Sequence, residues 1–386
     1  MPHDRGPTRT PLDARSLAVT RHLLVHGPAS RGALGRELSL SDASMSRIAR
    51  SLMRDGIVAE QLDAVASVGR PRQILSAVPS ARHVVGVKLT AQTAYGVACN
   101  MLGDIDGTAE LPLPEPVDGV VPVSETVRVV ARLVLQLSRR LPSLDGVGVS
   151  IGGVVADSTL VQEGTFLGWH DVDLGGLLHA ATGVHVVVTN DVTALAREQL
   201  WFGAGRTHTT FGVMTVGAGL GFAVVREGSV LEQLIDNGHL LAHSPVDASG
   251  PRCAMGHPGC VSAYLNGPDF ERRLPRRRGS PRTFGEAVRD PRLASSRVVE
   301  EAARALGHVV ATFAGALQTD RIVLAGEDVE PLFASPVVAA TIAERLRPGP
   351  QETQRCELDV STAPLTFIDW ARGAAVTSVQ RVLGAG

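Results

Sequence analysis

The sequence VVGVKLTAQTAYGVACNMLGDIDG, residues 84–107, consists of two apolar runs joined by a short turn of small and polar residues. The same plan returns in FGVMTVGAGLGFAVVREGSV, residues 211–230. Short apolar runs bounded by polar or glycine-rich turns favour strands, and two such runs with a tight connection favour a hairpin. Because the unit occurs twice, it indicates a duplicated architecture. We therefore expect two similar α/β lobes, each beginning with this hairpin.

The composition is that of a large globular protein. The chain has 386 residues, of which 44% are hydrophobic, enough for two or three domains with sizeable cores. No apolar run approaches the length of about eighteen residues that a membrane-spanning helix needs. The N-terminal sequence MPHDRGPTRT lacks the apolar region of a signal peptide, and four cysteines in so long a chain do not form a disulfide framework. These features predict a cytoplasmic protein without membrane contact.

The charge is unevenly distributed along the chain. The net charge is −2, but residues 1–82 hold 12 arginines against 7 acidic residues, a net charge of +5, and the remainder carries −7. A basic N-terminal unit joined to an acidic body is expected when one part of a protein contacts phosphates and the other does not. The asymmetry therefore points to nucleic acid as a partner of the N-terminal unit.

Three short helical segments follow one another after residue 12. Ser30 and Ser41 occupy the N-cap positions of the second and third segments, and Gly27 and Gly56 end the first and third. Two short apolar runs, GIVAE and QILSAV, follow with the loop sequence GRPR between them. Three helices and a hairpin predict a winged helix-turn-helix domain over residues 12–80, preceded by a flexible tail, residues 1–11.

The third helical segment is amphipathic. Its apolar face consists of Met45, Ile48, Ala49 and Leu52, and its opposite face is rich in arginine. In this motif the third helix enters the major groove with its N-terminal residues against the base edges. The predicted DNA contacts are Ser44, Ser46 and Arg47 to bases, Arg50 and Arg54 to phosphates, and Arg70 from the wing to a minor groove. The alternative is a three-helix unit with a solvated arginine face.

A Gly/Pro-rich segment, PRCAMGHPGC, residues 251–260, brings two cysteines and a histidine between tight turns, with His243 ten residues before Cys253. Thiolates and imidazoles gathered by tight turns form tetrahedral zinc sites. The segment resembles the zinc segment of the ROK family of sugar kinases and sugar-responsive repressors, which reads G-H, about nine residues, then C-x-C-G-x-x-G-C. Met255 stands where that pattern has its middle cysteine, and a thioether is a poor zinc ligand. Our hypothesis is that His257 is the fourth ligand, giving His243, Cys253, His257 and Cys260; the alternative is a surface loop with two unrelated thiols.

The resemblance extends to both sides of this segment. The sequence LSLSDASMSRIARSLMRDGIVAE, residues 38–60, is similar to the L-S-x-x-T-V-S-R signature of the family's DNA-binding domains. The resemblance implies an α/β two-lobed actin-like fold over residues 81–386, with a ligand bound between the lobes. It also implies that RIVLAG and the closing helix, DWARGAAVTSVQRVLG, complete the second lobe.

The apolar strand HVVVT ends at Asn190 and Asp191, which places two polar side chains at the carboxyl end of a strand. In the resembling kinases the matching Asp is the base that takes a proton from the sugar hydroxyl, and in the repressors the pair binds sugar. The ligand-binding residues implied by the resemblance are Gly153, Asn190, Asp191 and His243. The alternative is that Asp191 only caps a helix beginning near Val192.

Two departures from the family bear on catalysis and on the ligand. The kinases carry a D-x-G-G-T-K turn that handles the nucleotide phosphate and its Mg²⁺; here Lys88 replaces the Asp and both glycines are absent. Magnesium thereby loses an oxygen ligand and phosphate loses a close backbone approach, so we predict no kinase activity. Two glutamates that contact sugar in the family correspond to Leu240 and Ser262, which argues against an ordinary hexose as the ligand.

The sequence therefore predicts a transcriptional repressor that binds a double-stranded DNA operator as a homodimer or homotetramer and responds to a sugar or another small molecule. One alternative is a sugar kinase that retains a DNA-binding arm, which the retained Asp191 favours. Another is a regulator that works without a ligand, which Leu240 and Ser262 favour.

Overall fold

The chain forms two compact units, Met1–Phe202 together with Phe367–Gly386, and Gly203–Thr366. The computed structural model describes residues 11–62, 73–231, 239–275, 281–326, 329–347, 357–363 and 365–385. Within these ranges no helix combines the length and the apolar character needed to cross a bilayer.

The first unit begins with three helices and a three-stranded sheet. These elements are α1 (Ala14–His26), β1 (Ala29–Ser30), α2 (Arg31–Glu37), α3 (Asp42–Arg54), β2 (Val58–Leu62) and β3 (Gln73–Ala77). Strand β3 lies between β1 and β2 and pairs antiparallel with both. This arrangement confirms the expected winged helix-turn-helix. Residues 1–10 of the predicted tail and the wing loop with Arg70 lie outside the described residues.

Local side-chain capping explains where these helices begin. The Ser30 hydroxyl accepts a hydrogen bond from the Ala33 N–H (3.2 Å), and the Ser41 hydroxyl accepts one from the Ser44 N–H (3.3 Å). Both caps were expected, since Ser satisfies the free N–H groups of a first helical turn. Helix α1 ends at Gly27, whose φ of 86° favours glycine. The apolar face of α3 is buried as predicted, at Met45, Ile48, Ala49 and Leu52.

A five-stranded sheet forms the body of the first unit. Its elements and their connections are β4 (His83–Leu89), β5 (Thr93–Asn100), β6 (Ile105–Pro112), α4 (Val123–Ser138), β7 (Gly146–Ile151), β8 (Val154–Ala156), β9 (Leu160–Gly164), β10 (Trp169–Asp173), α5 (Leu174–Thr182), β11 (Val186–Asn190) and α6 (Asp191–Trp201). The strand order is β11-β7-β4-β5-β6. Strands β4, β5 and β6 form an antiparallel meander, whereas β7 and β11 extend the sheet in parallel with β4.

The second unit repeats this topology. Its elements are β12 (Phe211–Val216), β13 (Leu220–Arg226), β14 (Ser229–Leu231), α7 (His239–Ala242), α8 (Val261–Leu265), α9 (Gly267–Glu271), α10 (Phe284–Arg289), α11 (Arg297–Leu317), β15 (Arg321–Ala325), α12 (Val329–Phe333), α13 (Pro336–Arg345) and β16 (Asp359–Ala363). The order β14-β13-β12-β15-β16 again joins an antiparallel meander to two parallel strands. The two hairpins found in the sequence therefore begin two sheets of the same topology, as expected.

The closing helix, α14 (Phe367–Leu383), belongs to the first unit, so its expected place in the second lobe was wrong. The cause is a glycine surface on β4 and β7. A Cβ at Gly86 would lie 2.1 Å from the Ala371 carbonyl oxygen, and one at Gly148 would lie 1.9 Å from that of Ala374. Only glycine allows the helix backbone to approach the strands this closely.

Helix α14 also packs on α6 and on the start of the chain. A Cβ at Gly373 would come within 3.0 Å of the Ala194 backbone. On the same pair of helices, the buried Glu198 carboxylate is hydrogen-bonded to the Arg372 guanidinium. Burial raises the pKa of Glu198, and the positive charge of Arg372 opposes that shift. At the far end of α14, the Leu383 carbonyl accepts a hydrogen bond from the N–H of Leu12 (3.0 Å).

We predict that Gly148→Ala lowers the free energy of unfolding by about 3 kcal/mol or more, because the added methyl group meets helix backbone that cannot rotate away. Gly32→Ala, in α2, is the matched control: its added Cβ meets only the end of the Arg36 side chain, at 3.7 Å. The control gains helix propensity worth up to about 1 kcal/mol. Urea unfolding followed by tryptophan fluorescence measures both, since Trp169, Trp201 and Trp370 all lie in the first unit. Equal midpoints for the two variants would contradict the packing argument.

Candidate functional site

The arginines of α3 form the exposed face of the helix-turn-helix. Arg47, Arg50 and Arg54 are all exposed. The Arg50 Nε donates to the Ser46 carbonyl (3.3 Å), which holds this side chain along the helix. Arg54 lies 3.2 Å from the Asp55 carboxylate, so part of its charge is already compensated. Arg47 has no recorded acceptor in the described part of the chain and is the arginine best placed to reach outward.

The serines of α3 lie nearer to the helix backbone than the arginines. Ser44 and Ser46 are half-buried. The Ser44 hydroxyl accepts a hydrogen bond from the Ser41 hydroxyl (3.0 Å), so it also helps to close the N-cap. The structure thus places five of the six predicted DNA contacts on one helix, and the sixth, Arg70, outside the described residues.

Four side chains of the second unit lie close together and are called here the metal-type group: His243, Cys253, His257 and Cys260. The ligand-type atoms of His243, Cys253, His257 and Cys260 all lie within 4.8 Å of one another. The Nδ1 of His243 is 3.8 Å from the Cys253 Sγ and 3.6 Å from the Cys260 Sγ, and the Nδ1 of His257 is 3.7 Å from the Cys253 Sγ. Within the described residues, these four side chains are the His, Cys, Asp or Glu group that is arranged closely enough to hold a metal ion.

The spacing of these atoms fits zinc. With Zn–S and Zn–N bonds of about 2.3 and 2.0 Å at tetrahedral angles, a sulfur and a nitrogen ligand lie about 3.5 Å apart. The three S···N distances, 3.6 to 3.8 Å, are close to that edge of the tetrahedron. Burial raises the pKa of the Cys260 thiol, and a bound divalent cation would favour the thiolate instead.

Tight turns hold the loop of this group. Gly256 and Gly259 have φ values of 87° and 51°, and a Cβ at Gly259 would lie 1.5 Å from the Asp247 carbonyl oxygen. The Cys253 N–H donates to the His257 carbonyl (3.1 Å), which sets the two side chains beside each other. Met255, at the tip of this turn, is 65% exposed and is not part of the group. The backbone therefore brings His257, not Met255, to the cysteines.

In the first unit, the carboxyl end of β4 meets the start of α6 through an ion pair. The Lys88 Nζ lies 2.5 Å from the Asp191 Oδ2, and the two side chains are only 7% and 15% exposed. The ammonium also lies 5.5 Å from the centre of the Trp370 ring, a cation–π distance. Lys88, which replaces the Asp of the kinase turn, thus binds directly to Asp191, the carboxylate expected to contact sugar.

The residue before Asp191 organises the junction between β11 and α6. The Asn190 side-chain oxygen accepts hydrogen bonds from the N–H groups of Val192 (2.9 Å) and Thr193 (3.1 Å), and its amide donates to the Gly153 carbonyl (2.9 Å). Asn190 is therefore the N-cap, and α6 begins at Asp191. The helix therefore begins one residue earlier than in the alternative, with Asn190 as its N-cap, although the Asp191 carboxylate also accepts a hydrogen bond from the Val192 N–H (2.9 Å).

The four expected ligand residues fall into two places. Gly153, Asn190 and Asp191 lie together in the first unit, whereas His243 lies in the metal-type group of the second unit. Leu240 belongs to α7, and its side chain lies outside the described part of the structure; Ser262 is buried.

Sequence reasoning missed the contact of Lys88 with Asp191. The two residues are 103 positions apart, so no local pattern connects them. One signal was available, because Lys88 is the only lysine of the 386 residues, although 37 residues are Lys or Arg. Because the lysine ammonium is more compact than the arginine guanidinium, a single lysine in an arginine-rich chain draws attention to its position.

Among known proteins, the chain is similar to sugar repressors and to sugar kinases. The NagC regulator of Escherichia coli is 26% identical over 333 residues, which cover 82% of this chain and 80% of NagC. The xylose repressor of Bacillus subtilis is 22% identical over 251 residues, and the match spans 64% of that repressor's length and 64% of this chain. The glucokinase of Thermotoga maritima is 33% identical over 153 residues, 39% of this chain and 48% of the enzyme.

Solved structures share the fold. A ROK family transcriptional regulator described as a homologue of the Escherichia coli MLC protein superposes with a TM-score of 0.76 at 18% identity, covering 96% of each chain. A ROK family glucokinase from Streptomyces griseus superposes with a TM-score of 0.62 at 20% identity, over 77% of this chain and 99% of the enzyme. The match with the regulator covers 96% of this chain, against 77% for the glucokinase.

A family profile identifies the chain. The profile of the ROK family matches residues 120–376, more than half of the length. The fold class expected from the sequence, a two-lobed actin-like body with an N-terminal winged helix-turn-helix, agrees with this match and with the structural relatives. This chain therefore belongs to the ROK family.

Proposed function

We propose that the protein is a cytoplasmic transcriptional repressor that binds double-stranded DNA and responds to a sugar-type ligand. The observation that carries the proposal is the exposed arginine face of α3, presented by a winged helix-turn-helix that is continuous with a sugar-kinase-like body. Relatives named N-acetylglucosamine repressor and xylose repressor support it. A homodimer or homotetramer would offer two such helices, about 34 Å apart, to successive major grooves.

The proposal assigns the ligand to the first unit. Asp191 would accept hydrogen bonds from ligand hydroxyls, while Asn190 and Gly153 hold the strand–helix junction on which Asp191 stands. The predicted ligand contact of His243, which lies in the metal-type group of the second unit, stays a prediction. A ligand needs a difference of only about 1 to 3 kcal/mol between two protein states to change DNA affinity 5- to 150-fold.

The proposal excludes sugar phosphorylation because of the ion pair at Asp191. A catalytic base must be free to take the proton of the attacking hydroxyl. Here the Asp191 carboxylate is engaged by the Lys88 ammonium, and its second oxygen accepts from the Val192 N–H (2.9 Å). Lys88 also occupies the position at which the resembling kinases have an oxygen ligand for Mg²⁺. The Lys88 ammonium and Mg²⁺ are both positive and would repel each other.

The metal of the second unit is proposed to be a structural zinc ion held by His243, Cys253, His257 and Cys260. Four protein ligands leave no open position, so the ion would order the loop and take no part in chemistry. The donor set of two thiolates and two imidazoles and the S···N distances support zinc.

We predict that Arg47→Ala weakens binding to the specific operator at least about tenfold and leaves random DNA less affected, because we assign Arg47 to the base edges. Arg54→Ala weakens both DNAs roughly alike, as loss of a phosphate contact does. Fluorescence anisotropy on the upstream DNA of the encoding gene and on random DNA, at fixed salt, measures both. Arg128→Ala removes an exposed arginine of α4 and is the matched control. Equal losses on both DNAs for Arg47→Ala and Arg54→Ala would contradict the assignment.

We expect no turnover of ATP with common hexoses or amino sugars, because Asp191 is held by Lys88. A coupled assay for ADP release, run with the full-length protein, measures this. Sugar-dependent turnover that disappears in Asp191→Ala would overturn the repressor assignment in favour of a kinase with a DNA-binding arm.

We expect about one zinc ion per chain in protein purified without chelator. His257→Ala removes a ligand and should lower zinc retention during dialysis about 10-fold or more, whereas Met255→Ala, two residues before His257 but outside the group, should not. Elemental analysis by mass spectrometry gives the stoichiometry. Wild-type protein with less than about 0.2 zinc per chain would rule out a resident zinc ion.

A further inference from the structure

Lys88 is a buried cation with spare donors. It is the only lysine of the chain and is 6% exposed. An ammonium has three N–H donors; the structure records one hydrogen bond from it, to Asp191, and no second acceptor within the described residues. Buried donors without acceptors are costly, so a site of this kind favours a ligand that brings oxygen acceptors.

A second unpartnered polar group lies beside Lys88. Ser150 is the neighbour of Lys88 in the register of β7 and β4, and in-register side chains of adjacent strands point to the same face of a sheet. Its residue is fully buried, and its hydroxyl has no hydrogen-bond partner in the described part of the chain. The hydroxyl is a further donor to the same region.

An exposed aromatic ring borders the ion pair. Phe166 is 47% exposed although it is a large apolar side chain. A Cβ added at Gly152 would lie 2.9 Å from the Phe166 ring and 3.4 Å from the Asp191 Oδ2. The ring and the carboxylate are therefore close to each other, on either side of Gly152. An apolar ring face beside hydrogen-bonding groups suits a pyranose, which has an apolar C–H face and polar edges.

The net charge of the site favours one kind of acidic group on the ligand over another. Lys88 and Asp191 together are neutral, whereas an acidic residue at position 88 would make the same place doubly negative. A monoanionic carboxylate can therefore join Lys88 at a modest electrostatic cost. A phosphate dianion would meet only one cation, already shared with Asp191, and is the poorer match.

We propose that this site binds a carboxylated sugar, whose carboxylate accepts hydrogen bonds from the Lys88 ammonium while its ring packs on Phe166 and its hydroxyls donate to Asp191. This inference rests on the proposed function, since it names the class of ligand that the repressor would sense. The carboxylate supplies acceptors for the spare donors of Lys88 and Ser150. A neutral hexose would leave them without a charged acceptor.

The test is isothermal titration of the full-length protein with pairs that differ only at carbon 6: D-glucuronate against D-glucose, and D-galacturonate against D-galactose, at matched ionic strength. At least one uronate should bind at least about tenfold more tightly than its neutral parent. Lys88→Met should abolish that preference, and Lys88→Arg should keep part of it. D-glucose 6-phosphate distinguishes a phosphate ligand from a carboxylate.

A second variant controls for destabilisation of the protein by Lys88→Met. Lys88→Met leaves the Asp191 charge buried without its partner, so Lys88→Met with Asp191→Asn removes both charges together. Urea unfolding checks that both variants are folded, and operator binding by the wild-type protein without ligand tests the proposed function separately. The inference is overturned if no uronate binds, if neutral parents bind equally well, if glucose 6-phosphate binds more tightly than both uronates, or if the folded variants keep the preference. Loss of specific DNA binding in the wild type would instead overturn the proposed function.

Discussion

The backbone-to-backbone packing of α14 on β4 and β7 is the constraint on which the first unit depends. Glycines at positions 86 and 148 let the helix lie against the strands, and Gly373 lets it lie against α6. This packing sets Trp370 over Lys88 and holds α6, which begins with Asp191. The buried ion pair is therefore positioned by the close backbone packing of α14.

The same packing shows what the sequence could and could not predict. The buried face of α3, its Ser41 cap and the repeated hairpins follow from patterns of a few residues, and they were predicted correctly. The place of α14 was not, because a glycine in a strand does not reveal which helix uses the space it leaves. The Lys88–Asp191 contact joins the end of β4 to the start of α6, which are far apart in the chain, and depends on the finished sheet.

The metal-type group, in contrast, could be predicted from the sequence. Three of its four members, Cys253, His257 and Cys260, fall within one short loop, so turn geometry alone brings them together. The exposed position of Met255 explains how the loop accommodates a thioether where the family pattern has a cysteine. The side chain that cannot bind zinc well points to solvent, and a histidine two residues later reaches the cysteines.

The single lysine has a practical consequence for following the protein's opening motions. A protease that cuts only after lysine has one bond to attack in the whole chain, the bond between Lys88 and Leu89. That bond lies at the end of the central strand of the first sheet, with both residues buried. Cleavage requires the strand to leave the sheet, so the appearance of two fragments reports how often the core of the first unit unfolds.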